Sequence, residues 1–160
     1  MTPEQFRAAA ARLPGGVAVL TVRWRGAVHA ATVSSLVSLS MEPPLLGVGL
    51  HRDSRILEAL AEASTWSVSV LADDQASTAE WLASPGRPVV GQLDRVPTRP
   101  AEGTDGVWVD GAAAWFGCRT DARWTTGDHD LVVGEVLAAV DGSASAGGLV
   151  HLRGRIRRVT

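Results

Sequence analysis

The sequence predicts a mainly β domain, with strands that close into a barrel and a few short helices packed on it. Three observations carry that prediction. Short apolar and β-branched runs recur along the chain, each ended by Gly, Pro, Asp or Ser. Only three segments combine a helix cap with helical spacing of apolar residues. A chain of 160 residues with 46% apolar and 20% charged content is long enough for one buried core and too short for two.

The first helix starts at Thr2-Pro3-Glu4-Gln5, where Thr2 caps, Pro3 suits the first turn and Gln5 completes a capping box. It runs to about Leu13 and stops at Pro14-Gly15-Gly16. Val17–Trp24 reads as a strand, Arg25-Gly26 as a hairpin turn and Ala27–Val33 as the returning strand. Ser34–Ser40 continues as a bent strand until Met41-Glu42-Pro43-Pro44 interrupts it. Leu45–Leu50 is a short buried strand. Asp53 or Ser54 then caps a helix whose apolar face is Ile56, Leu57, Leu60 and Ala61. Trp66–Leu71 is a strand, and Asp73-Asp74 opens a helix ending near Ala83. Ser84–Gly106, rich in Pro, Gly and charge, is a long surface excursion rather than a linker, because too little chain follows for a second core. Ala112–Trp124 and Leu131–Val140 are long strands joined across a Gly127-Asp128 turn. Asp141–Gly148 is a Ser/Gly loop, and Leu149–Val159 is the last strand. One domain spans residues 1–160.

The net charge of −2 gives no electrostatic case for nucleic acid or an anionic membrane. Every basic side chain is Arg, and the arginines are spread along the chain. A single cysteine, Cys118, excludes an internal disulfide and a Cys-x-x-Cys pair, which fits a cytoplasmic setting. The N-terminus lacks the basic and apolar regions of a signal peptide, and no apolar run approaches the roughly 20 residues of a membrane span. His29, His51, His129 and His151 show no metal-ligand spacing.

Three segments could carry chemistry. Thr32 to Ser40 holds four serines and a threonine, too many hydroxyls for an ordinary core strand. At period two, Ser34, Ser38 and Ser40 share a face with Thr32 and Leu36. That face suits a planar polar ligand with a phosphorylated tail, or simply faces solvent. Gly49 to Arg55 is a strand end followed by a helix start, where free N–H groups, Ser54 and Arg55 could seat a phosphate or merely form a capped terminus. Gly127-Asp128-His129 is a hairpin tip that holds His129 at the barrel mouth, as a donor to a nicotinamide, pyrophosphate or flavin carbonyl or as a plain surface residue. Ser35 and His129 form no recognisable hydrolase pair, since no nucleophile elbow surrounds Ser35. Of the six tryptophans, most fall in strands and read as core, with Trp81 the one placed near a ligand.

Together these segments resemble the flavin reductase family, the reductase components of two-component flavin-dependent monooxygenases. The resemblance runs from Leu13-Pro14-Gly15-Gly16-Val17-Ala18-Val19-Leu20-Thr21, through His29 to Leu45 with its Ser-rich stretch and Pro43-Pro44-Leu45, and through Trp66 to Leu71. It ends at Gly127-Asp128-His129-Asp130-Leu131-Val132-Val133-Gly134-Glu135-Val136. It implies a dimeric split β-barrel of the FMN-binding type, with flavin bound near the interface. By the same resemblance, Thr32, Val33, Ser34 and Ser35 hold the isoalloxazine edge, and Ser38 and Ser40 line the same wall. Leu50, His51, Ser54 and Arg55 meet the ribityl phosphate. Gly127, Asp128 and His129 form the nicotinamide side, with His129 catalytic. The sequence departs from the family pattern at Ala30-Ala31, where Gly and a larger apolar residue are usual, and at Trp81-Leu82, where Arg-Phe is usual. The implied activity is reduction of FMN or FAD by NADH or NADPH, with reduced flavin passed to a partner monooxygenase. The alternatives are a split-barrel flavoprotein that holds flavin without turnover, and an oxidoreductase that uses a deazaflavin.

Overall fold

The computed structural model describes residues 1–142 and 147–160. The expected Asp141–Gly148 loop therefore falls partly outside the described residues. The chain is mainly β, with twelve strands and three short helices among the described residues.

Helix α1 (Pro3–Ala10) has the expected capping box: the Gln5 N–H donates to Thr2 Oγ1 and the Thr2 N–H donates to Gln5 Oε1. It ends three residues before Leu13 and buries none of its residues. Strands β1 (Gly15–Gly16), β2 (Ala18–Trp24) and β3 (Ala27–Val33) follow. β2 and β3 pair across Arg25-Gly26, both with positive φ, as a two-residue hairpin turn of the I′ kind requires.

The serine-rich stretch corrects the sequence reading. It is not one bent strand. β3 stops at Val33, Ser34 and Ser35 form a link, and β4 (Leu36–Met41) pairs with β5 (Pro44–His51) instead. A register shift between Ser38 and Ser40 breaks the alternation again. The single face expected for Thr32, Ser34, Leu36, Ser38 and Ser40 therefore does not exist.

After helix α2 (Arg55–Glu62) come β6 (Thr65–Val70) and helix α3 (Ala76–Ala83). α3 starts later than Asp73-Asp74 predicts, because Gln75 occupies the cap position and its side chain bonds the backbone of Ala72 and Asp110. The Ser84–Gly106 excursion contains β7 (Thr98–Pro100), which pairs with β8 (Val107–Val109). It also buries Gln92, Val96 and Ala101, so it is not wholly superficial. The long hairpin is β9 (Ala114–Thr126) and β10 (His129–Asp141). The expected last strand is a hairpin, β11 (Gly148–Leu152) and β12 (Arg155–Val159). Its Arg153-Gly154 turn again has two positive φ values, a conformation available to Arg only at some cost.

The main sheet has the order β3-β2-β6-β9-β10-β5-β4. Its hydrogen bonding does not close, so the expected closed barrel is corrected too. The two open ends, β3 and β4, are consecutive in the chain and joined only by Ser34-Ser35. One core cluster lies between this sheet and α2, where Ile56, Leu57 and Leu60 meet Leu20, Val22, Val48, Trp66 and Val132. Trp24, Trp66, Trp108 and Trp115 are buried as expected, whereas Trp124 stands exposed on the hairpin. Cys118 is buried in this core, and burial pushes its thiol up to about 12. No helix of the described residues is long and apolar enough to cross a membrane.

Gly134 lies against the Trp66 indole and Cys118, with no room for a Cβ. Gly134→Ala is expected to lower stability by about 1–3 kcal/mol in urea unfolding. Gly16→Ala, which meets nothing within 4 Å, should stay within about 0.5 kcal/mol.

Candidate functional site

The break between β3 and β4 opens a cavity of about 410 Å³. Its walls come from the end of β3, the Ser34-Ser35 link, the end of β5, the start of α2 and the first residue of β10. Thr32, Val33, Ser34, Ser35, Leu50, His51, Ser54 and His129 all line it, together with Ala31, Gly49 and Ile56. Eight of the residues expected from the sequence thus meet in one place.

Two of the four hydroxyl protons here serve the scaffold. Thr32 Oγ1 donates to the Ala79 carbonyl at 2.7 Å and ties β3 to α3. Ser35 Oγ donates to the Gly49 carbonyl at 2.6 Å and spans the break to β5. Ser54 Oγ accepts the Leu57 N–H as the cap of α2 and keeps its own proton free. The Ser34 hydroxyl, the Ser54 proton and the backbone of the Ser34-Ser35 link, outside both strand ladders, remain unused.

His129 and His51 face each other across the β5–β10 ladder. Their rings meet edge to face, 5.2 Å apart at 78°. His129 Nδ1 lies 2.7 Å from Asp128 Oδ1. That hydrogen bond holds the Asp128 carboxyl below its usual range, so the carboxylate accepts and Nδ1 carries the proton. His51 Nδ1 accepts the Asp53 N–H at 3.2 Å, which puts the His51 proton on Nε2. Each ring therefore offers only its Nε2 outward. Gly127 supplies the positive φ of the turn, and β9 ends one residue before it, so a two-residue turn fixes where His129 stands.

Two further cavities adjoin. One of about 610 Å³ shares Ala31, Ser54 and Ile56 with the first and is lined also by His29, Asp53, Arg55 and the 85–92 segment. Burial, and then the Arg55 charge, push the His29 pKa down, which favours the neutral ring. The other, of about 530 Å³, lies beyond His51 among Arg52, Asp53, Arg123 and Asp128. Beneath it Asp130 is buried, bonded through Oδ2 to Arg123 Nε, with Arg52 Nε 3.9 Å from Oδ1.

Not every expected residue joins the first cavity. Arg55 and Asp128 line the neighbouring ones, and Gly127 lines none of the three. Ser38, Ser40 and Trp81 line none either. Ser38 and Ser40 sit on β4, past the link that turned the chain away. Trp81 packs on the Val17–Val19–Leu71 cluster, and its Nε1 donates to the Gln92 carbonyl. Sequence reasoning missed Asp130 and Arg123. Counting outward from the Gly127-Asp128 turn sets Asp130 opposite Thr125 and diagonal to Arg123, a signal that was available. It also missed Arg87 and Gln92, whose contacts with β3 span 57 and 64 residues and leave no local trace.

These features define a mainly β domain with an open, partly polar cavity at a break in its sheet. The chain belongs to the family described as flavin reductase like domain, whose model matches residues 10–160. An NADH-dependent FMN reductase of Streptomyces nodosus subsp. asukaensis is 35% identical over 150 residues, covering 94% of this chain and 81% of the relative. The reductase component of 4-hydroxyphenylacetate 3-monooxygenase from Thermus thermophilus is 35% identical, covering 83% of this chain and 81% of its own. The NADH:FAD oxidoreductase of Streptomyces globisporus, solved with NAD and FAD fragments, superposes with a TM-score of 0.91 at 29% identity. That superposition covers 98% of this chain and 92% of the other.

The bond from Arg123 holds the Asp130 carboxyl below its usual range. A carboxyl with a depressed folded pKa stabilises the fold above its unfolded pKa and loses that contribution as pH falls through the folded value. Asp130→Asn is therefore expected to lower the melting temperature at pH 7 and to differ progressively less from wild type as pH falls below about 4. A constant difference across that range contradicts the assignment.

Proposed function

We propose that this chain is an NAD(P)H:flavin oxidoreductase that reduces FMN or FAD and supplies the reduced flavin to a partner monooxygenase. The single observation that carries this is the meeting of Thr32–Ser35, Ser54 and His129 around one cavity in a member of this family. The residues present fit a flavin. Val33, Leu50 and Ile56 give an apolar wall for the ring system. The Ser34-Ser35 link offers hydroxyl and backbone groups to a pyrimidine edge. Ser54 and the start of α2 offer donors to a phosphate.

A bound flavin supplies the electron acceptor: a hydride from reduced nicotinamide converts it to reduced flavin and leaves oxidised nicotinamide. The protein's part is positioning and exclusion of water. His129 Nε2, its ring oriented by Asp128, faces the cavity mouth as the nicotinamide contact. The wide opening lets reduced flavin leave for an oxygenase; the Thermus relative is named as the reductase component of a monooxygenase.

Finer structure follows the same reading. The sheet is a split barrel, supported by its two unjoined ends. The chain works as a homodimer, supported by the contrast between those ends. β3 is covered within the chain by α3 and by Arg87 and Gln92. β4 leaves Val37, Leu39 and Met41 exposed on an open edge, a surface that a soluble sheet normally blunts or pairs. Sedimentation equilibrium is expected to give twice the chain mass, and Leu39→Asp to shift it toward the monomer; a wild-type monomer removes this part of the reading.

Loss of nicotinamide absorbance should depend on added FMN or FAD. His129→Ala is expected to lower kcat/KM for the nicotinamide roughly 10–100-fold, while flavin affinity changes less than threefold. No oxidation in any of the four flavin–nicotinamide combinations would sink the proposal. Yellow protein without turnover would favour a flavin carrier instead.

A further inference from the structure

The 85–92 segment is a strap across the outer edge of β3. Arg87 Nη2 donates to the Ala30 carbonyl at 2.7 Å, Nη1 to the Ser84 carbonyl at 3.0 Å, and Nε to Gln92 Oε1. Gln92 is buried, and its Nε2 reaches the Val28 and Val89 carbonyls. The strap roofs the 610 Å³ cavity and places the Arg87 guanidinium in its lining. Three of the five guanidinium N–H groups are bonded, so one on each terminal nitrogen remains to donate to a phosphate. Arg55 adds a second positive charge, and Asp53 is the only carboxylate in the lining.

We infer that this cavity takes the adenylate half of FAD, so that the chain selects FAD over FMN, with Arg87 as a specificity-determining residue. The inference rests on the flavin reading above. A flavin whose ring lies against Ser34-Ser35 and whose phosphate lies at Ser54 continues directly into this cavity, because Ala31, Ser54 and Ile56 line both. The adenylate of a nicotinamide dinucleotide has the same chemistry but a different route. Its nicotinamide enters beside His129, which lines the first cavity and not this one; the continuation past His51 is the 530 Å³ cavity. FMN ends at its phosphate and would leave the roofed cavity empty.

Titration calorimetry of the full chain with FAD, FMN and AMP tests this. FAD should bind roughly tenfold more tightly than FMN, the scale of one charge-assisted phosphate contact. AMP should displace FAD and leave FMN binding unchanged. Arg87→Ala should bring FAD affinity down to that of FMN, with FMN shifted less than twofold, and Arg87→Lys should keep part of the preference. Equal wild-type affinities overturn the inference. So does an Arg87→Ala loss shared equally by both flavins, which would make the strap purely structural. AMP acting as a competitor of NADH rather than of FAD assigns the cavity to the nicotinamide and overturns it as well. Because the AMP arm uses wild-type protein, poor folding of a variant does not remove the test. Failure of both flavins to bind is a distinct result that removes the flavin reading itself.

Discussion

The break between β3 and β4 is the constraint on which the rest of this molecule depends. Each strand already has a partner on one side, β2 for β3 and β5 for β4. The two residues between them carry the chain from one end of the sheet to the other. Unpaired backbone at such a place must be met by water, side chains or ligand. Small side chains at Ser34 and Ser35 keep it accessible, and Ser35 ties it to Gly49. The cap of α2 lies beside this gap and the tip of the β9–β10 hairpin above it, so phosphate-type donors and an imidazole come to the same opening.

Several hydroxyls in this chain act as fasteners. In the interior, Thr21 Oγ1 donates to the Val107 carbonyl at 2.6 Å, Ser69 Oγ accepts the Val109 N–H at 2.9 Å, and Ser67 bonds Thr104. These bonds attach the β7–β8 unit to the main sheet through side chains where no strand ladder reaches it. Thr32 and Ser35 do the same at the site. A hydroxyl-rich stretch therefore signalled where backbone had to be pinned as much as where the cavity opens.

Local chemistry was legible in the sequence. The Thr2–Gln5 capping box, the Arg25-Gly26 turn, the Ser54 cap and the Gly127-Asp128 turn are read from a few neighbouring residues, and the structure has each of them. Eight cavity residues were legible because they lie in two short motifs and one hairpin tip. What escaped reading was long-range. Period-two alternation carried Ser38 and Ser40 onto the wrong strand, since nothing within the serine run marks where pairing passes from β2 to β5. Arg153-Gly154 was read through as strand, although Arg25-Gly26 has the same residues and the same backbone. Arg87 and Gln92 meet β3 from a loop whose composition suggests only solvent.

Cys118 has one more consequence. It is the sole thiol, buried with its pKa near 12, so almost none of it is thiolate at neutral pH. A cysteine introduced on the exposed strap, at Val90 for instance, would be the only accessible thiol in the folded chain. Strap movement can then be followed by a single attached dye, with the native sequence otherwise intact.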